Sequence, residues 1–329
     1  MSEVVVVTGA SAGVGRATVR AFARRGASIA LVARDTEGLR AAAREVEAAG
    51  GRALPLPVDV ADPDAVESAA EWVESQLGPI DIWINVAMAT IYAPLHRITP
   101  HEFRRATEVT YLGNVYGTMA ALKRMRQRNR GTIVQVGSAL AYRAIPLQAP
   151  YCGAKFAIRG FTDSLRSELL HDHINIHLTM VQMPALNTPQ FGWGRNKLPM
   201  RPQPVPPIFQ PEVAAEAIVF AACVRRREVW VGGPTIKAIL GNKIAPGFLD
   251  RYLARRGYSG QFSSEPADPV ALDNLFEPVP GDHDAHGRFD RRATAWSAAL
   301  WASMHKRLLL AGGILVGFLF LTVAAIAAH

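Results

Sequence analysis

Short apolar runs alternate with longer segments of mixed apolar and polar residues through the first two-thirds of the chain. An apolar run of about four to eight residues predicts a strand that is buried on both faces of a sheet. The predicted strands cover residues 4–7, 28–32, 53–58, 80–84, 132–136, 174–181 and 228–231. The predicted helices cover residues 16–25, 36–49, 62–77, 102–127, 150–170 and 211–224. This alternation predicts an α/β domain on a doubly wound parallel sheet of about seven strands.

A glycine-rich turn follows the first predicted strand and leads at once into the first predicted helix. Its glycines are Gly9, Gly13 and Gly15. Glycines let a ligand approach the backbone, and the free N–H groups at a helix start attract an anion. A purely structural turn is the alternative, since glycine motifs have a real false-positive rate. The buried strand before the turn and the helix directly after it favour a diphosphate site.

Tyr151 and Lys155 lie four residues apart in a predicted helix, so their side chains share one face. A phenol with a pKa near 10 is a poor acid–base group at neutral pH unless a nearby cation lowers its pKa. The ammonium group one turn away is such a cation. An amphipathic helix with a surface lysine is the alternative. Lysine occurs at only six positions in the chain, which makes a chance match here less frequent.

Two further polar residues fall at positions where chemistry is expected. Ser138 follows the predicted strand 132–136, at the sheet edge where open α/β folds bind ligands. Its hydroxyl can stabilise charge that develops on a substrate oxygen, although a serine in a plain strand-end turn is the alternative. Asn114 interrupts an otherwise apolar helix, and its amide needs a partner there, which a backbone carbonyl alone would satisfy.

Taken together, these motifs resemble the short-chain dehydrogenase/reductase family over residues 4–233. The resemblance implies a Rossmann fold and hydride transfer between a nicotinamide cofactor and a carbonyl or secondary alcohol. It implies that Tyr151 is the proton donor or acceptor and that Lys155 lowers its pKa and binds the nicotinamide ribose. Ser138 would orient the substrate, and Asn114 would hold a water in a proton relay.

The same resemblance implies a set of cofactor-binding residues. They are Thr8, Gly9, Ser11, Gly13, Val14, Gly15, Arg34, Asp59, Val60, Asn85, Ala87, Tyr151, Lys155 and Thr188. Two places depart from the family pattern: Met88 follows Ala87, and Met183-Pro184 stands where Pro-Gly is usual.

Cofactor choice is expected at the end of the second predicted strand, where an acidic residue suits the ribose of NAD and an arginine suits the 2′-phosphate of NADP. The chain has Ala33 at the acidic position and Arg34 after it, which favours NADP. Asp35 comes next, and matching the family's acidic position one or two residues later would favour NAD instead of NADP. NAD is therefore the alternative cofactor.

Composition and charge narrow the class of protein. The chain of 329 residues is 49% apolar and has a net charge of +8. Its two cysteines cannot form a disulfide framework, which fits a reducing compartment. No basic run is interleaved with aromatic residues, so we expect no nucleic-acid partner. His283 and His286 resemble a metal site only weakly, and we expect no metal.

Two parts of the chain lie outside the predicted strands and helices of the sheet: a loop within the region of family resemblance, and the segments beyond residue 233, where the resemblance stops. Residues 190–210 are rich in proline and carry Phe191, Trp193 and Phe209, which suits either a lid over an apolar substrate or a packed surface loop. Residues 1–233 are expected to form the catalytic domain. Residues 234–256 read as a helical extension that either faces a membrane or packs on the domain. Residues 257–304 read as a linker with a short helix.

Residues 308–328 form an uninterrupted apolar run of 21 residues, preceded by His305, Lys306 and Arg307. Such a helix is about 30 Å long, which matches a bilayer. It predicts a single-pass anchor within residues 305–329 that holds the catalytic domain on the cytoplasmic side. A buried helix in an oligomer is the alternative, and the family resemblance also implies a possible homo-oligomer.

The predicted function is NADP-dependent oxidoreduction of a small hydrophobic carbonyl or alcohol, by an enzyme that contacts the lipid bilayer through its anchor. An NAD-linked alcohol dehydrogenase of the same fold is one alternative. A non-catalytic sensor or scaffold that keeps only the cofactor site is another. The intact set of Asn114, Ser138, Tyr151 and Lys155 argues against the scaffold.

Overall fold

Seven parallel strands form one central sheet in the computed structural model, which describes residues 2–268 and 270–306. The strands are β1 (Val4–Thr8), β2 (Ser28–Ala33), β3 (Arg52–Pro57), β4 (Ile82–Asn85), β5 (Gly131–Ser138), β6 (Ile176–Met183) and β7 (Glu228–Trp230). Their order across the sheet is β3-β2-β1-β4-β5-β6-β7. The predicted doubly wound, seven-stranded sheet is confirmed. Its strand order reverses between β1 and β4, which places a ligand crevice at their carboxyl ends.

Eleven helices accompany the sheet within the described ranges. They are α1 (Gly13–Ala23), α2 (Thr36–Ala48), α3 (Pro63–Leu77), α4 (Pro100–Thr107), α5 (Gly113–Arg128), α6 (Ala149–His171), α7 (Gln190–Trp193), α8 (Pro211–Cys223), α9 (Gly233–Ile244), α10 (Pro246–Arg256) and α11 (Ala298–Met304). Helices α1, α2 and α8 pack with one face of the sheet, and α3, α5 and α6 pack with the other. The strands between them are therefore apolar on both faces, as their sequence indicates.

The single helix predicted over residues 102–127 is wrong, because the structure divides it. A π-helical turn, Glu108–Leu112, separates α4 from α5. Thr110, in this turn, is fully buried and bonds both backbone groups of Ala89, at 2.9 and 3.0 Å. These bonds tie the wide turn to the loop after β4. Such a turn changes which residues face the sheet, and it sets the direction of Asn114 at the start of α5.

Residues 257–304 are not the extended linker that their composition suggests, because they pack against the catalytic domain. Within them, residues 273–290 cross the carboxyl edge of the sheet, and we call this segment the C-terminal strap. Leu275 and Ala285 of the strap are fully buried, and Phe289 is nearly so. The strap also exchanges backbone hydrogen bonds with the domain, such as Gly287 N to Asn187 O at 3.2 Å. Composition misleads here because a polar, irregular segment can still satisfy its backbone by docking.

No helix among residues 2–268 and 270–306 is long and apolar enough to cross a membrane. The predicted membrane-spanning run, 308–328, lies outside the described residues.

Candidate active site

The glycine-rich turn has a backbone that only glycine fits. Gly9 and Gly13 have φ angles of +69° and +56°, in the left-handed region that disfavours other residues. A Cβ atom on Gly15 would lie 1.9 Å from the carbonyl oxygen of Gly9. The turn is therefore closed on itself, and these three positions place no side chain over the backbone at the start of α1.

A buried arginine that the sequence reading missed holds this turn in place. Arg16 is 1% exposed, and its guanidinium donates to the carbonyl oxygens of Ser11 at 3.1 Å and Gly38 at 2.8 Å. It also forms an ion pair with Glu45 at 2.8 Å. An arginine in the first turn of a helix looks like a surface residue in the sequence, so no local signal identifies this role.

A cavity of about 710 Å³ runs from the glycine-rich turn to the predicted catalytic residues. Its size is within the usual range for ligand sites. The predicted site residues that line it are Gly9, Ser11, Gly13, Val14, Gly15, Arg34, Asp59, Val60, Ala87, Ser138, Tyr151, Lys155 and Thr188. Three predicted residues do not line it: Thr8, Asn85 and Asn114.

Thr8 and Asn85 hold the site from behind instead of facing a ligand. The Thr8 hydroxyl accepts hydrogen bonds from the backbone N–H groups of Val86 and Ala87, at 3.0 and 3.1 Å. The Asn85 side chain is 3% exposed and bonds Trp83, Thr118 and Gln135 at 2.9–3.1 Å. Their polar atoms are bonded inside the protein, so both residues support the site in this structure, and their predicted contact with the cofactor stays a prediction.

Tyr151 and Lys155 lie in the first turns of α6 and both reach the cavity. The Lys155 ammonium is 5.5 Å from the centre of the Tyr151 ring and donates to the carbonyl of Val136 at 2.6 Å. Burial raises the pKa of Tyr151 to about 12, although the neighbouring Ser138 hydroxyl acts in the opposite direction. Burial lowers the pKa of Lys155 to about 8. At neutral pH the phenol is therefore protonated, and the lysine beside it is mostly charged.

Ser138 ends β5, and its backbone position leads directly into the same cavity. Its hydroxyl accepts from the N–H of Leu140 at 3.1 Å, which orients the oxygen at the strand end. The hydroxyl can donate a hydrogen bond to the neighbouring Tyr151 oxygen or to a ligand oxygen in the cavity.

Asn114 is 5% exposed, and its side-chain oxygen has no hydrogen-bond partner among the described residues. Its backbone carbonyl accepts from the Thr118 hydroxyl at 2.7 Å, as a helix residue can. A buried amide oxygen without a protein partner is a position for an ordered water.

Arg34 and Asp35 lie at the opposite end of the cavity from Tyr151. Asp35 caps α2, accepting from the N–H groups of Glu37 and Gly38 at 3.2 and 2.8 Å. Arg34 donates to the carbonyl oxygens of Asn274 and Phe276 in the C-terminal strap. The acidic side chain is therefore committed to a helix cap, whereas the arginine lies against the strap.

Asp59 lines the same end of the cavity and forms an ion pair with Arg105. Arg105 in turn donates to the carbonyl of Leu275 at 3.0 Å. Together with the contacts of Arg34, this pair joins the ends of β2 and β3 to the strap.

The strap also contacts the glycine-rich turn and the loop after β6. The N–H of Gly13 donates to the carbonyl of Asp284 at 3.0 Å. The His283 ring packs edge-on against Trp193, with 4.6 Å between ring centres. The sequence reading missed four strap residues that line the cavity, and they are Asn274, Pro278, Val279 and His283. Only folding brings them here, since they are more than 200 positions from the turn.

The residues of the segment 190–210 divide between two environments. Phe191 and Trp193 line the cavity, together with Val205. Phe209 is 7% exposed and belongs to the core under α8. One portion of this segment therefore borders the cavity and another is packed in the core, and a lid over an apolar substrate stays a prediction.

Helices α9 and α10 complete the end of the cavity beyond Tyr151, a role that the sequence did not reveal. The lining residues from these helices are Pro234, Thr235, Ala238, Tyr252, Leu253 and Arg256. Three of these residues are apolar, and the other three bring the hydroxyls of Thr235 and Tyr252 and the guanidinium of Arg256 to the wall.

The arrangement fits a dinucleotide with a reactive ring. The glycine-rich turn offers close backbone approach at a helix start, which suits a diphosphate. The cavity then continues to a protonated phenol, a serine hydroxyl and a buried ammonium. Such groups can move a proton and stabilise charge on an oxygen held between them.

Comparison with known proteins agrees with this geometry. Residues 3–192 match the protein family described as short chain dehydrogenase. The uncharacterized oxidoreductase YxnA of Bacillus subtilis is 29% identical over 96% of this chain and 88% of its own length. The 3-dehydrosphinganine reductase of Danio rerio is 33% identical over 65% of this chain and 67% of its own length. A metagenomic short-chain oxidoreductase in complex with NADP superposes with a TM-score of 0.60 and 27% identity, covering 70% of this chain and 97% of that one.

Proposed function

Because this chain belongs to the short chain dehydrogenase family, we propose that it is an NADP-dependent oxidoreductase with Tyr151 as its general acid–base group. The reaction interconverts a carbonyl and a secondary alcohol. The observation that carries the proposal is the single cavity that joins the glycine-rich turn to Ser138, Tyr151 and Lys155.

When bound, the cofactor would supply a hydride from its reduced form, NADPH, or accept one in its oxidised form, NADP⁺, at the nicotinamide ring. The glycine-rich turn and the start of α1 would hold its diphosphate, and Lys155 would reach its nicotinamide ribose. Thr188 also lines the cavity. It packs against the glycine-rich turn, since a Cβ atom on Gly13 would lie 3.4 Å from the Cβ atom of Thr188. These residues bind and orient, and they carry no covalent step.

In the reducing direction, Tyr151 donates its proton to the carbonyl oxygen as the carbon receives a hydride, so the C=O bond becomes a C–OH group. Ser138 donates a hydrogen bond to the same oxygen. Lys155 stabilises the phenolate that Tyr151 leaves behind, since an ammonium within about one helical turn favours the charged form. In the oxidising direction, the same groups take the proton back.

Three observations support NADP over NAD. Ala33 leaves no carboxylate at the end of β2, and the Asp35 carboxylate is used by the cap of α2. Arg34 lines the cavity at that end, and its guanidinium has five N–H groups, of which two bond the strap, so others remain for a 2′-phosphate. The metagenomic oxidoreductase that superposes on this chain was crystallised with NADP.

The substrate that we propose is apolar. Its part of the cavity is walled by Phe191, Val205, Ala238 and Leu253. The Danio rerio relative, named for its action on 3-dehydrosphinganine, is similar to this chain and supports a lipophilic substrate.

The test is Tyr151→Phe, which removes the hydroxyl and keeps the ring. We expect the variant to lose turnover by about 10²–10⁴-fold, the usual contribution of a general acid–base group. Absorbance of the reduced nicotinamide, followed with a panel of lipophilic ketones and alcohols, measures turnover. Fluorescence titration should show NADPH binding unchanged. A variant that keeps wild-type turnover refutes the assignment.

We also propose that residues 308–328 anchor the enzyme in a membrane with its catalytic domain on the cytoplasmic side. The support is the apolar run itself and the basic residues before it, His305, Lys306 and Arg307. After a high-salt alkaline wash, which strips peripherally docked protein from membranes, the full chain should stay in the membrane fraction, and a chain without residues 305–329 should move to the supernatant. A truncated protein that still sediments with membranes after this wash contradicts the anchor.

A further inference from the structure

The outer side of the last two long helices carries apolar and basic side chains together. We call it the α9–α10 face. Its residues are Lys237, Leu240, Lys243, Ile244, Phe248, Arg251, Tyr252 and Arg255, all of them exposed. Positions 237, 240 and 244 follow helical spacing in α9, and positions 248, 251, 252 and 255 follow it in α10.

The most exposed apolar side chains of this face lie at a corner. Helices α9 and α10 are separated by Ala245 alone. Ile244 on one side of this bend is 83% exposed, and Phe248 on the other side is 65% exposed. Phe248 stacks on Tyr252 with 6.5 Å between ring centres, so the apolar surface continues along α10. Large apolar groups at a protruding corner are costly in water and indicate a surface that is covered in use.

The charge of the segment indicates what covers it. Residues 233–256 hold five cations, which are Lys237, Lys243, Arg251, Arg255 and Arg256. Their single carboxylate, Asp250, forms an ion pair with Arg143 at 2.6 Å. None of the five cations has an ion-pair partner within residues 2–268 and 270–306.

We propose that the α9–α10 face docks on an anionic lipid surface. Exposed apolar residues interleaved with unpaired cations fit the interface of such a bilayer, where apolar side chains enter the acyl boundary and cations meet phosphate. A second copy of this chain is a poorer partner, because a symmetric contact would bring the same cations against one another.

This docking brings the mouth of the cavity to the lipid. Tyr252 and Val205 both line the cavity and are 52% and 42% exposed, and Arg256 lines it at the same rim. A lipophilic substrate would then enter from the bilayer without crossing water. Only this delivery step rests on the proposed oxidoreductase function; the docking itself does not.

The experiment uses the full chain with Cys223, the exposed cysteine, replaced by serine. An environment-sensitive fluorophore is attached at Phe248→Cys, or at Ile244→Cys. The control position is Leu170→Cys, which is 71% exposed but lies near the far end of α6, roughly 28 Å along that helix from Tyr151. Because each label reports on its own surroundings, the reading is separate from any anchoring by residues 308–328.

On vesicles of phosphatidylcholine with phosphatidylglycerol, we expect emission at positions 244 and 248 to shift to the blue and to be quenched by brominated acyl chains. We expect a smaller response on phosphatidylcholine alone and none at position 170. Lys243→Gln and Arg255→Gln should each lower the equilibrium constant for docking about fivefold. Lys123→Gln, a change of an exposed lysine on α5, should leave it unchanged.

Equal emission at positions 170, 244 and 248 in every vesicle overturns the proposal. A blue shift that occurs without vesicles and rises with protein concentration also overturns it, in favour of a second copy of the chain. Turnover is measured separately, so docking without activity would refute the proposed function and leave the docking intact.

Discussion

Two effects oppose each other at the ammonium group of Lys155. Its ammonium is buried, which favours the neutral form, yet its proposed role needs the charge beside Tyr151. The carbonyl of Val136, at 2.6 Å, is its only hydrogen-bond partner within the described ranges. Burial therefore brings the pKa of Lys155 to about 8, close to physiological pH, and makes its charge sensitive to small changes of pH.

We predict that carbonyl reduction is pH-independent below about pH 8 and declines above it. Lys155 loses its proton as pH rises through its lowered pKa of about 8, whereas Tyr151, with a pKa of about 12, stays protonated. The pH profile of kcat/KM for NADPH reports these groups in the free enzyme. Lys155→Arg keeps a cation throughout and should show no decline near pH 8. A decline at the same pH in this variant would assign it to another group.

Gly15 is the position at which the fold excludes a side chain most strongly. We predict that Gly15→Ala destabilises the protein by about 3 kcal/mol or more and abolishes NADP binding, because the new Cβ meets the Gly9 carbonyl at 1.9 Å. Urea unfolding followed by circular dichroism and a cofactor titration measure both effects. Gly160→Ala is the control, since that helical site is open, and it should stabilise by about 0.5–1 kcal/mol. Equal stability of the two variants would contradict the close approach.

Most of the site residues that the sequence motifs identified do line the cavity, but the motifs could not tell lining residues from supporting ones. Thr8 and Asn85 sit one or two positions from true lining residues, and their chemistry suits a ligand equally well. What separates them is whether a protein partner already uses their polar atoms, and those partners, such as Gln135 and Val86, come from other elements. Motifs record residue types, whereas satisfaction of hydrogen bonds depends on the fold.

At the scale of elements, the C-terminal strap is held by a histidine between two carboxylates. His286 contacts Asp290 through Nδ1 at 2.7 Å and Glu212, at the start of α8, through Nε2 at 2.9 Å. Partial burial alone would lower the pKa of His286, but these two hydrogen bonds outweigh it, so the pKa lies above its usual value. The protonated form is therefore the one that ties the strap to α8.

We predict that the strap loosens as pH rises. A raised pKa in the folded state means that this contribution is complete below about pH 6.5 and is lost as pH rises through the raised value. Protection factors for the Gly287 and Phe289 amides, which bond Asn187, measure the effect by hydrogen exchange. His286→Gln should remove the pH dependence.

The control for the strap is His96→Gln, which changes an exposed histidine elsewhere and should keep the wild-type response. Amide protection that is the same on both sides of the titration in the wild-type protein would count against this role of His286.

At the scale of the whole molecule, the candidate site joins the first part of the chain to the C-terminal strap, more than 200 positions later. The first 60 residues supply the glycine-rich turn, Arg34 and Asp59, and the strap closes over them from residues 273–290. A ligand in this cavity contacts both regions, so its binding energy stabilises the fold as a unit.

We predict that NADP raises the melting temperature more than NAD does at equal concentration. At about 100 times its Kd, a ligand adds about 2.7 kcal/mol to the free energy of unfolding, which corresponds to a shift of several degrees. Arg34→Ala should bring the NADP shift down to the NAD shift, and Arg40→Ala, an exposed change on α2, should not. The comparison uses the difference between the two cofactors, because Arg34 also bonds the strap. Equal shifts for both cofactors in the wild-type protein would reject the preference.

The sequence by itself determined the alternation of strands and helices, the glycine-rich turn and the placement of Tyr151 and Lys155 on one face of a helix. These features depend on residues close together in the chain, where periodicity and backbone sterics act. Only the tertiary structure decided the division of the helix at residues 108–112, the hydrogen bonds by which Arg16 holds the glycine-rich turn, and the docking of the C-terminal strap. Each of these rests on hydrogen bonds and burial between distant residues, which no local pattern records.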